Sequence, residues 1–159
     1  MTLLQEIQAK CSLEQIAAGD YHDIAATVNV GRKRVVSTMI TERGVRGALG
    51  PVLGSKFLRL LTDLHVAAAA DQVPAWLTAV LTASQVPSDD HIYYLETLGC
   101  GIDWLRSDGL DLGDTAVRRL LDIIAGGNPS LAPATVILKS KAEQPALVSW
   151  NECATALGA

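Results

Sequence analysis

The sequence predicts an all-α fold, a single compact multi-helix globule over residues 1–159 with seven to nine short helices and at most one isolated strand-like segment. Three observations carry this reading. Side chains that favour helix N-caps (Thr2, Ser12, Asp20, Thr41, Ser88, Asp114 and Ser149) recur along the chain, each ahead of apolar residues at helical spacing. Glycine or proline follows most of these runs. The composition is 49 % apolar but only 4 % aromatic, and is dominated by the helix formers Ala and Leu. A chain of 159 residues with this composition buries a core in one domain, which excludes global disorder.

Taken in order, Thr2 with Gln5 forms a capping box ahead of Leu3, Leu4 and Ile7. Ser12 with Gln15 repeats the device before a stop at Gly19. Asp20 caps a third helix carrying Ile24, Ala25 and Val28, which ends at Gly31. Residues 35–40, Val-Val-Ser-Thr-Met-Ile, break the pattern with the chain's one run of strand character. With no partner strand legible elsewhere, this segment is expected to be an edge, a linker or a pairing site in an oligomer. Thr41 caps a helix to Leu49, and Pro51 after Gly50 suits the first turn of a new one. There Phe57, Leu60, Leu61 and Leu64 fall at i, i+3, i+4 and i+7, one buried stripe.

Pro74 opens a helix with Trp76, Leu77, Val80 and Leu81 inward, and Ser88 caps a longer one bearing Ile92, Leu95, Leu98, Ile102 and Leu105. Gly99 and Gly101 inside it predict a kink or a close helix contact. Asp114 caps the helix of Val117, Leu120, Leu121 and Ile124, which stops at Gly126-Gly127. A further helix is expected over 132–143, ended by Pro145. Ser149 with Glu152 forms the last capping box, with Trp150, Cys153, Ala154 and Leu157 inward.

Net charge is −4, against the basic footprint of a general nucleic-acid binder. The charge is uneven: residues 1–56 hold seven Lys/Arg and five Asp/Glu, whereas residues 57–115 hold two and nine. This polarity suits head-to-tail self-association or a polarised partner surface. The opening residues have neither a basic n-region nor a long apolar h-region, so no signal peptide is expected. No run of about 18 apolar residues marks a transmembrane helix. Cys11, Cys100 and Cys153 are widely spaced and odd in number, which suggests reduced thiols.

No chemistry-bearing motif completes itself. Gly50-Pro51-Val52-Leu53-Gly54-Ser55-Lys56 fails the phosphate-loop pattern, because three residues separate the glycines and Ser precedes Lys. His22, His65 and His91 form no His-x-x-x-His pair, and no Cys-x-x-Cys exists, so neither a metal nor another cofactor is expected. Cys100, between Gly99 and Gly101, has no local base or oxyanion site and reads as a small buried residue where helices cross. The candidate interaction residues are therefore the basic cluster Arg32, Lys33, Arg34 and Arg43, and the strand-like Val35, Val36, Ser37, Thr38, Met39 and Ile40. Tyr93 and Tyr94 join them, since adjacent residues cannot share a helix face and one of the pair must lie outward.

Three stretches also carry a resemblance. They are Ile24-Ala-Ala-Thr-Val-Asn-Val-Gly31-Arg32-Lys-Arg-Val35-Val, Thr115-Ala-Val-Arg118-Arg-Leu-Leu-Asp122-Ile-Ile-Ala, and Leu138-Lys139-Ser-Lys-Ala142-Glu143-Gln-Pro145 followed by Val148-Ser149-Trp-Asn-Glu152. Together they cover about a quarter of the chain, toward its two ends, and none is catalytic. The chain resembles small helical proteins encoded among the virion structural, tail-region genes of tailed bacteriophages. This resemblance implies a non-enzymatic virion structural or assembly protein, tail-associated, that binds other virion proteins and copies of itself. It places the protein in the host cytoplasm before assembly and in the virion afterwards. Two other roles are weighed beside it: a small intracellular regulator that binds a host protein, and a capsid-associated decoration or head-tail joining protein. A cryptic thiol enzyme using Cys100 is the reading from a different class.

Overall fold

A computed structural model describes every residue from Met1 to Ala159. About 70 % of the chain is helical. Ten α-helices run α1 (Leu3–Lys10), α2 (Leu13–Ala18), α3 (Tyr21–Asn29), α4 (Glu42–Ala69), α5 (Ala75–Ala83), α6 (His91–Gly99), α7 (Gly101–Arg106), α8 (Thr115–Gly127), α9 (Ala132–Lys141) and α10 (Trp150–Ala156). Four short strands accompany them: β1 (Lys33–Val35), β2 (Met39–Ile40), β3 (Leu110–Asp111) and β4 (Glu143–Pro145). The mostly helical expectation holds, but two small two-stranded sheets make the fold all-α only approximately.

The chain packs as two compact units, Met1–Val35 with Gln144–Ala159, and Val36–Glu143. Each has its own hydrophobic cluster. In the first unit, both ends of the chain contribute. Thr2 and Ser149 close complete capping boxes with Gln5 and Glu152, Ser12 and Asp20 accept single backbone bonds, and Gly19 takes the left-handed C-cap at φ +67°. The helices so fixed bury Ile7, Cys11, Ile24, Ala25, Val28, Val148 and Cys153. Polar side chains lock the same unit. Asn29 donates from Nδ2 to the Val148 carbonyl and accepts the Val148 N–H at Oδ1, at 3.0 and 2.8 Å. Trp150 does not point inward: it is 43 % exposed and packs against His22 with ring centroids 5.1 Å apart and planes tilted by 35°. A seven-residue helix, α10, has room for one buried face, and Cys153 occupies it.

The second unit is built around α4. Gly50 breaks this helix at φ +80°, ψ 175°, a conformation open to glycine, and Pro51 restarts it. Beyond the bend, Phe57, Leu58, Leu61 and Leu64 are buried against α6, α7 and α9. At the crossing with α6, Gly99 leaves no room for a side chain: a Cβ there would stand 2.8 Å from the Ala68 Cβ. The glycine pair thus marks a close helix contact. Cys100, expected to be buried, is exposed, because Gly99 and Gly101 both face α4 and the residue between them turns outward. Leu120, expected in mid-core, is only partly buried and packs at the margin of the core. The helix expected to end at 143 stops at Lys141, and residues 143–145 form β4.

The expectation that residues 35–40 form an isolated strand without a partner is overturned. β1 pairs with β4, and β2 pairs antiparallel with β3 in the register Met39↔Asp111 and Ile40↔Leu110. Val36 and Thr38, between the strands, have backbone partners as well. The Val36 N–H donates to the Ala142 carbonyl at 2.8 Å, and the Thr38 carbonyl accepts the Leu112 N–H at 2.9 Å. Buried or half-buried backbone groups need such partners, and two-residue strands lying some 70 residues apart in sequence are too short to be read as partners beforehand.

Candidate functional site

The structure divides the sequence-derived candidates between the units. Arg32 is not a free cation: its Nε donates to Glu6 Oε2 at 2.9 Å and its Nη1 donates to the Ala146 carbonyl. That guanidinium holds the Glu6 carboxyl below its ordinary range, and Glu6 in turn raises Arg32. Arg34 donates to Gln144 Oε1 at 3.3 Å, and Lys33 is also engaged. Arg43 is exposed on the first turns of α4.

In the second unit, Ser37 and Thr38 are tied to Asp111, a residue the sequence reading passed over. Its Oδ1 accepts the N–H groups of Thr38 and Gly113, both at 2.9 Å, and its Oδ2 accepts the Ser37 hydroxyl at 2.8 Å. Three donors on one carboxylate lower its pKa, with the Thr38 N–H the largest cause. Of the strand-like run, Val35 and Met39 keep exposed side chains, at 47 % and 55 %, while Val36, Thr38 and Ile40 are half-buried. The two strands of the segment thus have partners within the chain, so the lack of a partner no longer argues for pairing with another protein.

Two of the histidines, His65 and His91, are equally occupied. A carbonyl only accepts, so His65 donates from Nδ1 to Gly99 O at 3.0 Å, and buried His91 donates from Nε2 to Val86 O at 3.0 Å.

Tyr93 and Tyr94 are left with an open surface. They sit side by side on α6, so they diverge: Tyr93 is 62 % exposed and Tyr94 half-buried. Thr97, one turn on from Tyr93, shares its face. Across from them, Ala116, Arg119 and Leu120 present one face of α8 at i, i+3 and i+4. Together the six side chains line an open groove of about 260 Å³, mostly apolar. Arg119 ties its two sides: the guanidinium carbon lies 5.5 Å from the Tyr94 ring centroid, and Nη2 donates to the Tyr94 hydroxyl at 3.0 Å. Tyr94 is therefore held in place from the far helix, while Tyr93 stands free at the rim.

The neighbouring Arg118 does opposite work. It is half-buried and donates to the carbonyls of Leu112 and Lys139, both at 3.1 Å, and to Glu143 at 3.0 Å. Sequence reading missed Arg119 because adjacent arginines give no sign of which one faces inward. The available signal was the Asp114 cap, which fixes the phase of α8 and puts Val117 and Leu121 on the core side.

No helix of the chain is long and apolar enough to cross a membrane. No protein-family model, no curated protein and no solved structure matches the chain.

Proposed function

We propose that this protein is a non-enzymatic, tail-associated component of a bacteriophage virion that works by binding neighbouring virion proteins and copies of itself, and that the Tyr93–Tyr94–Arg119 groove is its principal contact. The observation that carries the reading is the groove itself: an apolar trough between two helices with an exposed tyrosine at its rim and an arginine across it. Exposed aromatics and arginine are the residue types enriched at protein interfaces. The trough suits a partner segment that offers an apolar side chain beside a carboxylate, the first against Tyr94 and Leu120, the second toward Arg119.

The three stretches behind the phage resemblance supply a different kind of support. Their polar residues Asn29, Arg32, Arg118 and Glu143 hold chain segments together by hydrogen bonds and ion pairs. The likeness therefore concerns how the chain is built, and the groove supplies the contact.

The test is quantitative mass spectrometry of gradient-purified particles from a host producing the protein. A fixed copy number per particle is expected, and cross-links from the groove should name the neighbour. A protein left wholly in the cleared lysate, bound to a host protein, would turn the reading to the intracellular regulator. Cross-links to the head shell would turn it to a capsid-associated role. Arg119→Glu with Tyr93→Ala should remove the protein from particles without unfolding it, because both side chains lie outside the core.

A further inference from the structure

The bend in α4 creates a second feature, independent of the groove. Gly50 turns the helix, and Gly54, having no side chain, packs beside the Arg46 backbone: a Cβ there would lie 3.3 Å from the Arg46 Cα. The two arms of the bent helix and α7 thereby surround an open concavity of about 340 Å³. Arg46, Arg59 and Arg106 line it, with Ser55, Thr62 and a single carboxylate, Glu42. Glu42 bridges two of the cations, lying 3.5 Å from Arg46 Nη2 and 3.2 Å from Arg106 Nε. Arg46 also donates from Nη1 to the Ser55 hydroxyl at 3.3 Å. Arg59 has neither a hydrogen bond nor an ion pair, Asp63 one turn on included.

Three guanidiniums against one carboxylate leave a local excess of two positive charges. The unit around it is acidic, with nine Lys/Arg against twelve Asp/Glu over Val36–Glu143. A general attraction for anions is absent there, so anion binding would have to come from this arrangement. Guanidinium forks match the oxygens of carboxylate and phosphate alike, but a carboxylate neutralises one charge and a phosphate monoester close to two. Its three terminal oxygens also give separate acceptors to Arg59, to the outer N–H groups of Arg46 and Arg106, and to the Ser55 hydroxyl.

We propose that the concavity at the α4 bend, walled by Arg46, Arg59 and Arg106 with Ser55, binds the phosphate group of a small soluble phosphate or phosphate monoester. This is not a phosphate loop: no strand precedes it, and the cradle is made of side chains from a bent helix and its neighbour, not of backbone N–H groups. Gly50 and Gly54 serve here to bring the arms together.

Calorimetric titration of the full chain with inorganic phosphate, at low ionic strength and pH 7.5, tests this. Saturable one-to-one binding is expected, with acetate at least about tenfold weaker because it supplies half the charge. Arg59→Gln should weaken phosphate binding about tenfold, the usual scale for loss of a charge-assisted hydrogen bond. Lys56→Gln, on the same arm as Arg59 but outside the concavity, should leave it unchanged, and circular dichroism checks that both variants fold. The proposal is overturned if phosphate shows no saturable binding, if Arg59→Gln binds as the parent does, or if acetate competes equally. Sedimentation with phosphatidic-acid vesicles that free phosphate does not reverse would move the ligand to a lipid headgroup and overturn the soluble one.

Discussion

The two units bury their cores by different means. The unit of Val36–Glu143 relies on bulk: Phe57, Leu61, Leu64, Leu95, Ile102 and Ile124 are all essentially inaccessible, on helices that cross closely enough to need Gly99. The unit of Met1–Val35 and Gln144–Ala159 has a short apolar list and no buried aromatic side chain. It is closed instead by directed polar bonds, from Asn29 to both backbone groups of Val148 and from Arg32 to Glu6 and Ala146. The contrast follows from size. A small cluster of short helices removes too little apolar area from water to fix its own geometry, so specific hydrogen bonds that join distant parts of the chain decide it. The larger unit has directed polar bonds of its own, at Arg118 and Asp111, but adds them to a bulkier apolar core, and both proposed sites lie there.

That contrast can be broken or sharpened by experiment. Phe57→Ala should have the largest effect, a loss of about 3–5 kcal/mol by urea unfolding, because it removes a fully buried ring from the larger core. Leu61→Ala should follow at about 2–5 kcal/mol. Leu120→Ala, half-exposed at the groove, should fall below about 2 kcal/mol, and a loss as large as that at Leu61 would mean that the groove side of α8 is core.

In the smaller unit the sensitive residue should be polar. Asn29→Ala should cost about 1–3 kcal/mol, by leaving the Val148 N–H and carbonyl unpartnered. Amide hydrogen exchange read by mass spectrometry should place the increase in peptides covering α3 and α10 and leave those of α4 protected.

Thiol reactivity tests the same division from the side chains. Burial raises the Cys11 and Cys153 thiols, whereas Cys100 is exposed. A chromogenic disulfide reagent should therefore modify one thiol quickly and two slowly, and Asn29→Ala should speed the slow pair alone. Two fast thiols in the parent chain would contradict the packing of the smaller unit.

The smallest effect expected is on pH dependence. Arg32 lowers the Glu6 carboxyl in the folded chain, so the pair stabilises fully above the ordinary carboxylate range and loses its contribution as pH falls through the lowered value. Acid should thus loosen the smaller unit, and Glu6→Gln should flatten its pH dependence below about pH 5, the upper edge of carboxylate titration. An unchanged acid profile in that variant would remove the ion pair from the account.

What was readable in the sequence was local, and the reason is that capping, periodicity and backbone permissiveness act within a few residues. The caps at Thr2, Ser12, Asp20, Thr41, Asp114 and Ser149, the break at Gly50-Pro51 and the Phe57–Leu64 stripe all stand where the spacing put them. Tyr93 and Tyr94 diverge as adjacent helical residues must. The readings that failed needed a partner far along the chain. Residues 35–40 looked unpaired because β3 and β4 are two and three residues long, too short to show a strand pattern. Trp150 lies outward and Leu120 only at the margin of the core, because periodicity gives a stripe but not how wide the neighbouring helices make its buried part. Arg59, Arg46 and Arg106 come from two arms of a bent helix and from α7, and only the tertiary fold brings them to one concavity. The sequence determined which residues could be helical and where most helices are capped, although Ser88, expected to cap a helix, opens a short 3-10 turn and α9 stops at Lys141. Which carboxylate meets which donor, and which arginines meet none, was decided by packing, because those contacts join residues that no local rule connects.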